Sequence, residues 1–427
     1  MYSITFKFLK RSCDSKCFFG DAYRWNAKST HVQCHNTLAR KGEILEKTKK
    51  IWLDYQLDKR THFNYTVQKL TPEGRKNGSG SKWTINDGEE GFFDGVIVAI
   101  GSCDKPNRIF FEGSQDFQGK LVHSSQLDGL NWKGKRVVVI GGGASAVEAL
   151  ELAVKSQCTT PAVMITRTDK WFLPRGFLFS FFVSSIPYGR DCFPFRIFEK
   201  YLKTFHYQNH LKWMIPLEKD GKTQASLYGK TPIVNSNFLK LVRTGTANYV
   251  RAHVMKISGE GVEVRRFLSD KSDIIGADII VEATGYHRPK VSFLESEGLF
   301  SGPKGSKQYS PPNVFLQAFL VPDWRCAMPN AAFVEGAASV GHFHIGILAR
   351  LMMMFMMDSS TAPSPEEMSR WVNEKIKFKG SLIYWTYSEQ LKWYLQFLLS
   401  SFRRSRWIIF VLFGWGRTGN RLYAPLR

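Results

Sequence analysis

The chain predicts an α/β fold with a parallel sheet, and three observations carry that expectation. The apolar run Arg136–Ile140 meets a glycine turn, Gly141-Gly142-Gly143, and then a segment that reads as a helix from Ala144 to about Ser156. A second apolar strand, Ala162–Thr166, follows at the spacing of a βαβ unit, which joins parallel strands. Further strand-like pieces, HVMKIS, GVEVRRFL and ADIIVEATG, arrive between residues 253 and 285.

Taken in order, residues 1–40 show little periodicity beyond an alternating YSITFKF, which hints at one strand. The charged, Leu- and Ile-bearing text from Gly42 to Leu57 predicts a short helix. HFNYTVQKL and KWTI read as strands, and Asn86-Asp87-Gly88 as the hairpin turn after them, because those residue types tolerate positive φ. FFDGVIVAIG reads as a buried apolar run, which makes these pieces a small antiparallel meander returning into a larger sheet. The Gly-, Pro-, Asp- and Ser-rich text from 102 to 135 reads as a linker. An aromatic-rich insertion, Trp171 to Trp213, interrupts the alternation after the second strand of the βαβ unit. The last third turns helical from about Ser339. PSPEEMSRWVNEKI, with its Pro-led acidic start, reads as a capped helix, and LMMMFMM as core.

Composition narrows the function classes. The chain of 427 residues is 43% hydrophobic, enough for two cores or one elaborated core. Its formal charge of +22 suits anionic partners, whether phosphate cofactors or membrane surfaces, or is simply a basic surface. No motif with aromatic interleaving points to nucleic acid. Seven cysteines, odd in number and irregularly spaced, suit reduced thiols in an intracellular protein, cytoplasmic or membrane-associated. Cys13 and Cys17 have no matching pair, so no metal site is expected. Lys7, Lys10 and Arg11 interrupt any leader-like core, and no run of 18 apolar residues occurs.

The turn at 141 is the most informative motif. In Gly141-x-Gly143-x-Ser145-Ala146 the first glycine permits the tight turn and the second lets a pyrophosphate approach the backbone. Ala146, small like the usual third glycine, lets the helix lie close to the strand. The helix start then offers free N–H groups and a positive dipole to phosphate. The second strand ends on Arg167, which favours a 2′-phosphate and hence NADPH. Asp169, two residues on, keeps NADH open.

With these residues in view, the chain resembles the flavin-containing monooxygenases, class B flavoproteins with two dinucleotide-binding domains. VIVAIG at 96–101 looks like the first ATG-type strand. FQGKLVHSSQL at 117–127 resembles the family fingerprint, with Phe117, Gly119 and His123 in place. GGGASA matches the NADPH turn, PIVNSNFLKLV at 232–242 the segment before the sheet returns, and EATGYHRP at 282–289 the second ATG motif. Two features depart from the pattern. The fingerprint ends in Leu127 rather than an aromatic residue, and nothing upstream of Leu57 supplies the GxGxxG that holds FAD.

The resemblance implies a Rossmann-like, two-dinucleotide-domain flavoprotein whose FAD domain is incomplete and split around the NADPH domain. Residues 1–130 would be the partial FAD domain with meander and linker, and 131–288 the NADPH domain. Residues 289–362 would return to the FAD domain, and 363–427 would form an aromatic, basic tail. The implied reaction uses NADPH, FAD and molecular oxygen to oxygenate a small nitrogen or sulfur nucleophile through a flavin C4a-hydroperoxide. The rival is an NADPH-binding remnant without flavin; a different NADPH-linked reductase is a third option. His123 is the candidate catalytic residue, coupling cofactor binding to domain movement. Gly141, Gly143, Ser145, Ala146 and Arg167 are the NADPH-site candidates, and Ala99, Gly101, Thr284 and Gly285 the flavin-side ones. Gly341, His342 and His344 would start a helix aimed at the flavin. Arg403, Arg404 and Arg406 with WIIFVLFGW are either a peripheral membrane contact or a helix packed on the domain.

Overall fold

The computed structural model describes residues 41–73, 82–100, 103–174, 193–218, 223–227, 232–267, 272–287, 289, 292–295, 314–316, 318–328, 342–379 and 387–414. Residues 1–40 lie outside this set, and with them the YSITFKF strand and the question of an N-terminal FAD unit.

Helix α1 spans Lys41–Asp54, within a residue or so of its predicted start. Strands β1 (Leu70–Glu73), β2 (Lys82–Ile85) and β3 (Phe92–Phe93) form the antiparallel meander. The strand expected over HFNYTVQKL is present only at its last residue. Asn64 takes a left-handed φ of 60°. The Asn86 amide occupies the neighbouring backbone, accepting from Gln68 N–H at 2.8 Å and donating to the Thr66 carbonyl at 2.9 Å. The predicted turn is present, with φ of 48°, 62° and 93° at Asn86, Asp87 and Gly88.

FFDGVIVAIG is not one buried run. It breaks at Gly95, where a Cβ would lie 2.6–2.7 Å from the Met356 and Met352 methyls and 2.9 Å from the Arg325 carbonyl oxygen. Past the break, β4 (Val96–Ile97) leaves the meander and pairs in parallel with β14 (Cys326–Ala327), in a separate two-stranded sheet. Phe92 and Ile97 are exposed.

The main sheet has seven strands in the order β12-β11-β10-β7-β6-β13-β5. They are β5 (Lys120–His123), β6 (Arg136–Ile140), β7 (Thr159–Thr166), β10 (Ala247–Ser258), β11 (Gly261–Arg266), β12 (Ser272–Gly276) and β13 (Ile279–Glu282). The five from β10 to β5 run parallel, and β11 and β12 add an antiparallel edge. β5 corrects the reading of 102–135 as linker: its four residues pair with β13 in the sheet itself.

Helix α2 (Ala144–Lys155) crosses from β6 to β7 as predicted. It packs Ala146, Val147, Ala149, Leu150 and Ala153 into one apolar layer, with Trp171, Phe172 and Phe238 on the same side. Val138, Ile140, Ile165, Val250 and Ile280 fill the opposite face of the sheet. That burial on both faces is why these strands read as continuous apolar runs rather than alternating ones.

From the insertion, the described part includes β8 (Phe172–Leu173), which pairs with β9 (Ile233–Val234), and helix α3 (Phe193–Tyr201). The described residues also include helices α4 (Phe238–Arg243), α5 (His342–Met357), α6 (Pro365–Lys379), α7 (Tyr387–Leu399), α8 (Phe402–Ser405) and α9 (Ile408–Phe413). In α5 the methionine stripe is core at Met352 and Met354, Met353 and Met357 are exposed, and Met356 is partly exposed with its methyl against Gly95. No single described helix is long and apolar enough to cross a membrane.

Phe410, Val411 and Leu412 are buried, and Arg350 donates to the Val411 and Leu412 carbonyls at 2.6 and 3.3 Å. Arg404 is not free for lipid phosphate. It is buried, forks onto Glu367 at 2.6 and 2.7 Å, and lies 4.2 Å over the Phe397 ring. The described part of this stretch packs on the rest of the chain through Phe410, Val411 and Leu412, while Phe402, Ile409 and Phe413 stay exposed.

Candidate functional site

In an open α/β sheet, ligands bind beyond the carboxyl ends of the strands, where the strand order reverses. Here β6, β7 and β10 step to one side, while β13 lies on the other side of β6. The reversal falls between β6 and β13, and the predicted glycine turn sits at that point. Gly141 N–H donates to the Ile165 carbonyl at 2.9 Å, and Ala283 N–H donates to the Ile140 carbonyl at 2.8 Å. The ends of β6, β7 and β13 are thereby tied together.

The three glycines of the turn are not equivalent. Gly141 has a φ of 141°, and a Cβ there would lie 2.3 Å from the Ala283 carbonyl oxygen. At Gly142 a Cβ would lie 2.1 Å from Thr166 Oγ1 and 3.0 Å from the Thr168 carbonyl oxygen. At Gly143 it would meet nothing within 4 Å. Two glycines are therefore demanded by protein packing, and the third opens onto space. Gly143 is also the N-cap of α2, with no side-chain cap. The first-turn amides of Ala144 and Ser145 face outward by position, as an anion site requires. Ala146 is fully buried and lets α2 settle on the sheet.

The turn at the end of β7 borders this loop. Thr166 Oγ1 donates to the Thr168 carbonyl at 2.9 Å and accepts from the Thr168 N–H at 3.3 Å. Arg167, between them, is exposed, and among the described residues it has no acidic partner. Asp169 is buried. Its Oδ1 accepts from Tyr249 Oη at 2.8 Å and from Arg251 Nε at 2.9 Å. Of the two residues weighed for the ribose, one is presented and the other is engaged inside.

His123 ends β5 and is fully buried. Nδ1 accepts from the Ser125 N–H at 3.2 Å, with the Ser125 hydroxyl at 2.9 Å, and Nε2 lies 3.0 Å from the Gly285 carbonyl oxygen. A backbone N–H at Nδ1 and a carbonyl at Nε2 fix the neutral Nε2–H tautomer. The Tyr286 ring meets the imidazole edge to face at 5.1 Å. Both ring nitrogens are used, so the imidazole is a strut between the fingerprint segment and the second ATG motif.

Thr284 and Gly285 are likewise held. Thr284 Oγ1 donates to the Asn107 carbonyl, and Asn107 N–H donates to the Gly285 carbonyl at 2.9 Å. Gly285 has a φ of 89°, and a Cβ there would meet nothing within 4 Å. Ala99 is exposed beyond β4, away from the main sheet, and Gly101 lies outside the described residues. Gly341 and the side chains of His342 and His344 do too, although the backbone of α5 does start at His342.

Sequence reasoning passed over Glu282, which is 1% exposed at the carboxyl end of β13. Burial pushes its carboxyl above the ordinary value, against the Arg108 guanidinium 3.4 Å away and the Ile109 N–H, which pull it down. Arg108 also reaches Gln126 Oε1. The acid beside the ATG motif was visible, but its partner stands 174 residues earlier. Gly142 could have been found, because three glycines in a row exceed what GxG needs.

Residues 33–301 match a family described as FMO-like, flavin-binding monooxygenase-like. A Baeyer-Villiger monooxygenase of Pseudomonas aeruginosa is 33% identical over 141 residues, covering 32% of this chain and 25% of that protein. A probable indole-3-pyruvate monooxygenase of Arabidopsis thaliana is 26% identical over 278 residues, covering 60% of this chain and 62% of that one. The chain thus spans less than two thirds of the length of these curated relatives. Among solved structures, an oxidised steroid monooxygenase bound to NADP aligns with a TM-score of 0.54 at 15% identity, covering 85% of this chain and 80% of that one. OTEMO in complex with FAD and NADP aligns with a TM-score of 0.54 at 15% identity, covering 88% and 84%. At such identity the likeness establishes the fold, that of two-dinucleotide-domain flavoproteins.

Proposed function

Because the chain belongs to the flavin-binding monooxygenase-like family, we propose that it is an NADPH- and FAD-dependent monooxygenase acting on a small nitrogen or sulfur nucleophile. The observation that carries the reading is the glycine turn at the strand reversal, where Gly143 is open while Gly141 and Gly142 are walled by protein. The residues present fit a pyrophosphate there: a backbone free to approach, uncapped amides of Ala144 and Ser145, and Arg167 at the border. When bound, the nicotinamide supplies a hydride and the flavin supplies oxygen activation, so the protein's part is positioning and exclusion of water.

Arg167 receives the 2′-phosphate, a bidentate partner suited to guanidinium. Asp169, with its Oδ1 engaged by Tyr249 and Arg251, is withheld from the ribose hydroxyl, which favours NADPH over NADH. His123 acts as a positioning residue. It holds the Gly285 carbonyl and, through it, the ATG segment against residues 104–108. Gly285, open where a Cβ would stand, is the flavin-side approach. The exposed side chains of Phe402, Arg403, Arg406, Ile409 and Phe413 are the surface we assign to peripheral membrane contact.

Purified full chain tests the function. A yellow protein whose NADPH oxidation consumes oxygen supports the enzyme. A colourless protein that NADPH still protects against unfolding would identify the flavin-free remnant. Arg167→Ala is expected to weaken NADPH by about tenfold or more, the worth of one charge-assisted contact, and NADH little. Equal losses for both nucleotides would remove the 2′-phosphate assignment.

A further inference from the structure

The acid that could read a ribose hydroxyl is present in this chain, two residues past Arg167, and among the described residues it is held by one cation, Arg251. Asp169 shares Oδ1 between Arg251 Nε at 2.9 Å and Tyr249 Oη at 2.8 Å. Arg251 is fixed in turn: its Nη2 donates to the Ile215 carbonyl at 3.0 Å, and its guanidinium lies 5.9 Å from the Trp213 ring centre. Both partners sit on β10, two residues apart and hence on one face. Arg251 pairs in register with Thr166, the last rung of the β10–β7 ladder and the residue before Arg167. The ion pair therefore stands at the carboxyl end of the strands, beside the glycine turn that Thr166 touches.

From this placement we infer that Arg251 is a specificity-determining residue for the dinucleotide. It neutralises and holds back Asp169, so that Arg167 acts on a 2′-phosphate without an opposing carboxylate. The inference rests on the reading of Arg167 given above. Its physical content is a difference between two ligands. A bare carboxylate at this border repels a phosphate and accepts from a ribose hydroxyl, so releasing Asp169 penalises the phosphorylated nucleotide selectively. A purely structural role for the pair would instead lower stability and leave the ratio of the two affinities alone.

The test is calorimetric titration of the full chain with NADP+ and with NAD+. Arg251→Met and the gentler Arg251→Gln, which keeps a donor toward Asp169, are expected to lower the NADP+ to NAD+ affinity ratio by about tenfold. Arg251→Lys keeps the charge and holds the ratio within about twofold of wild type. Asp169→Asn alone changes the ratio less than about twofold, since the acid is already neutralised, and added to Arg251→Met it restores the ratio. An unchanged ratio in Arg251→Gln overturns the inference. So does a large rise in the ratio on Asp169→Asn alone, a variant that needs no loss of the cation. Arg167→Ala run in parallel separates the failures. If it costs both nucleotides equally, the 2′-phosphate reading falls. If it discriminates and the Arg251 variants do not, only the assignment to Arg251 falls.

Discussion

A histidine fully buried with both ring nitrogens hydrogen-bonded ties two segments together, and His123 is built in that way. Its Nε2 faces the Gly285 carbonyl and its Nδ1 receives the Ser125 N–H. Truncation would leave the Ser125 amide without its acceptor, while the Gly285 carbonyl keeps the Asn107 N–H; an unmet donor costs about 1–3 kcal/mol where water does not enter, and the emptied ring volume adds to it. Gly285 and Ser125 are only half-buried, so part of that cost is relieved by solvent. His123→Ala is expected to lower stability by about 2 kcal/mol in chemical denaturation. His123→Gln, whose amide both donates and accepts, recovers part of it. Nitrogen NMR of the wild type should show the Nε2–H tautomer; an Nδ1–H ring would contradict the strut.

At the scale of elements, the C-terminal helices are locked by a network the sequence could not display. Ser364 caps α6, accepting from the Glu367 N–H at 3.1 Å, as its Pro-led acidic start predicts. The same Glu367 then receives Arg404, from a segment 37 residues on, whose charge had suggested lipid. Arg404→Met leaves a partly buried carboxylate unpaired and is expected to cost about 3 kcal/mol of stability. Adding Glu367→Gln should return a large share, measured as thermal unfolding of the four variants of the cycle. The contrast explains what was legible. The βαβ unit, the capped helix and the Asn-Asp-Gly turn rest on local periodicity and backbone preference, and all three stand where they were read. β5 was hidden because four residues between glycines and serines carry little pattern, and only the pairing with β13 makes them a strand. The break at Gly95 was hidden because its cause, Met352 and Met356, arrives more than 250 residues later. At the site the glycines and Arg167 were legible for the same local reason, whereas Arg108, Thr166 and Arg251 act through partners that only the sheet brings near.

For the whole molecule, the sheet order both places the glycine turn and bears on how the fold answers to acid. Glu282, buried at the strand reversal, has its carboxyl pushed up, so its protonated form is favoured in the folded state. Stability from that group is fully present below the ordinary carboxylate range and declines as pH rises through the folded value. His206, half-buried at the end of the π-helical turn Leu202–His206 that follows α3, behaves in the opposite sense. Burial, and then the Arg243 guanidinium, lower it from 6.5 to about 4. Its Nε2 is buried without a hydrogen-bond partner among the described residues, so the neutral ring is the form this pocket holds. Above 6.5 the ring is neutral both folded and unfolded. As pH falls from 6.5 toward 4 the unfolded chain takes up a proton that the folded chain refuses, and stability is lost across that window. With screening by nearby solvent the loss is about 1–2 kcal/mol. His206→Gln, which cannot titrate, is expected to flatten that part of the profile. Urea midpoints of wild type and variant, compared at pH 7.5 and pH 4.5, should differ more at one pH than at the other. Parallel profiles would show that the acid sensitivity arises elsewhere. Since Glu282 favours acid and His206 opposes it, Glu282→Gln in the same experiment should raise stability at pH 7.5 and have little effect at pH 4.5.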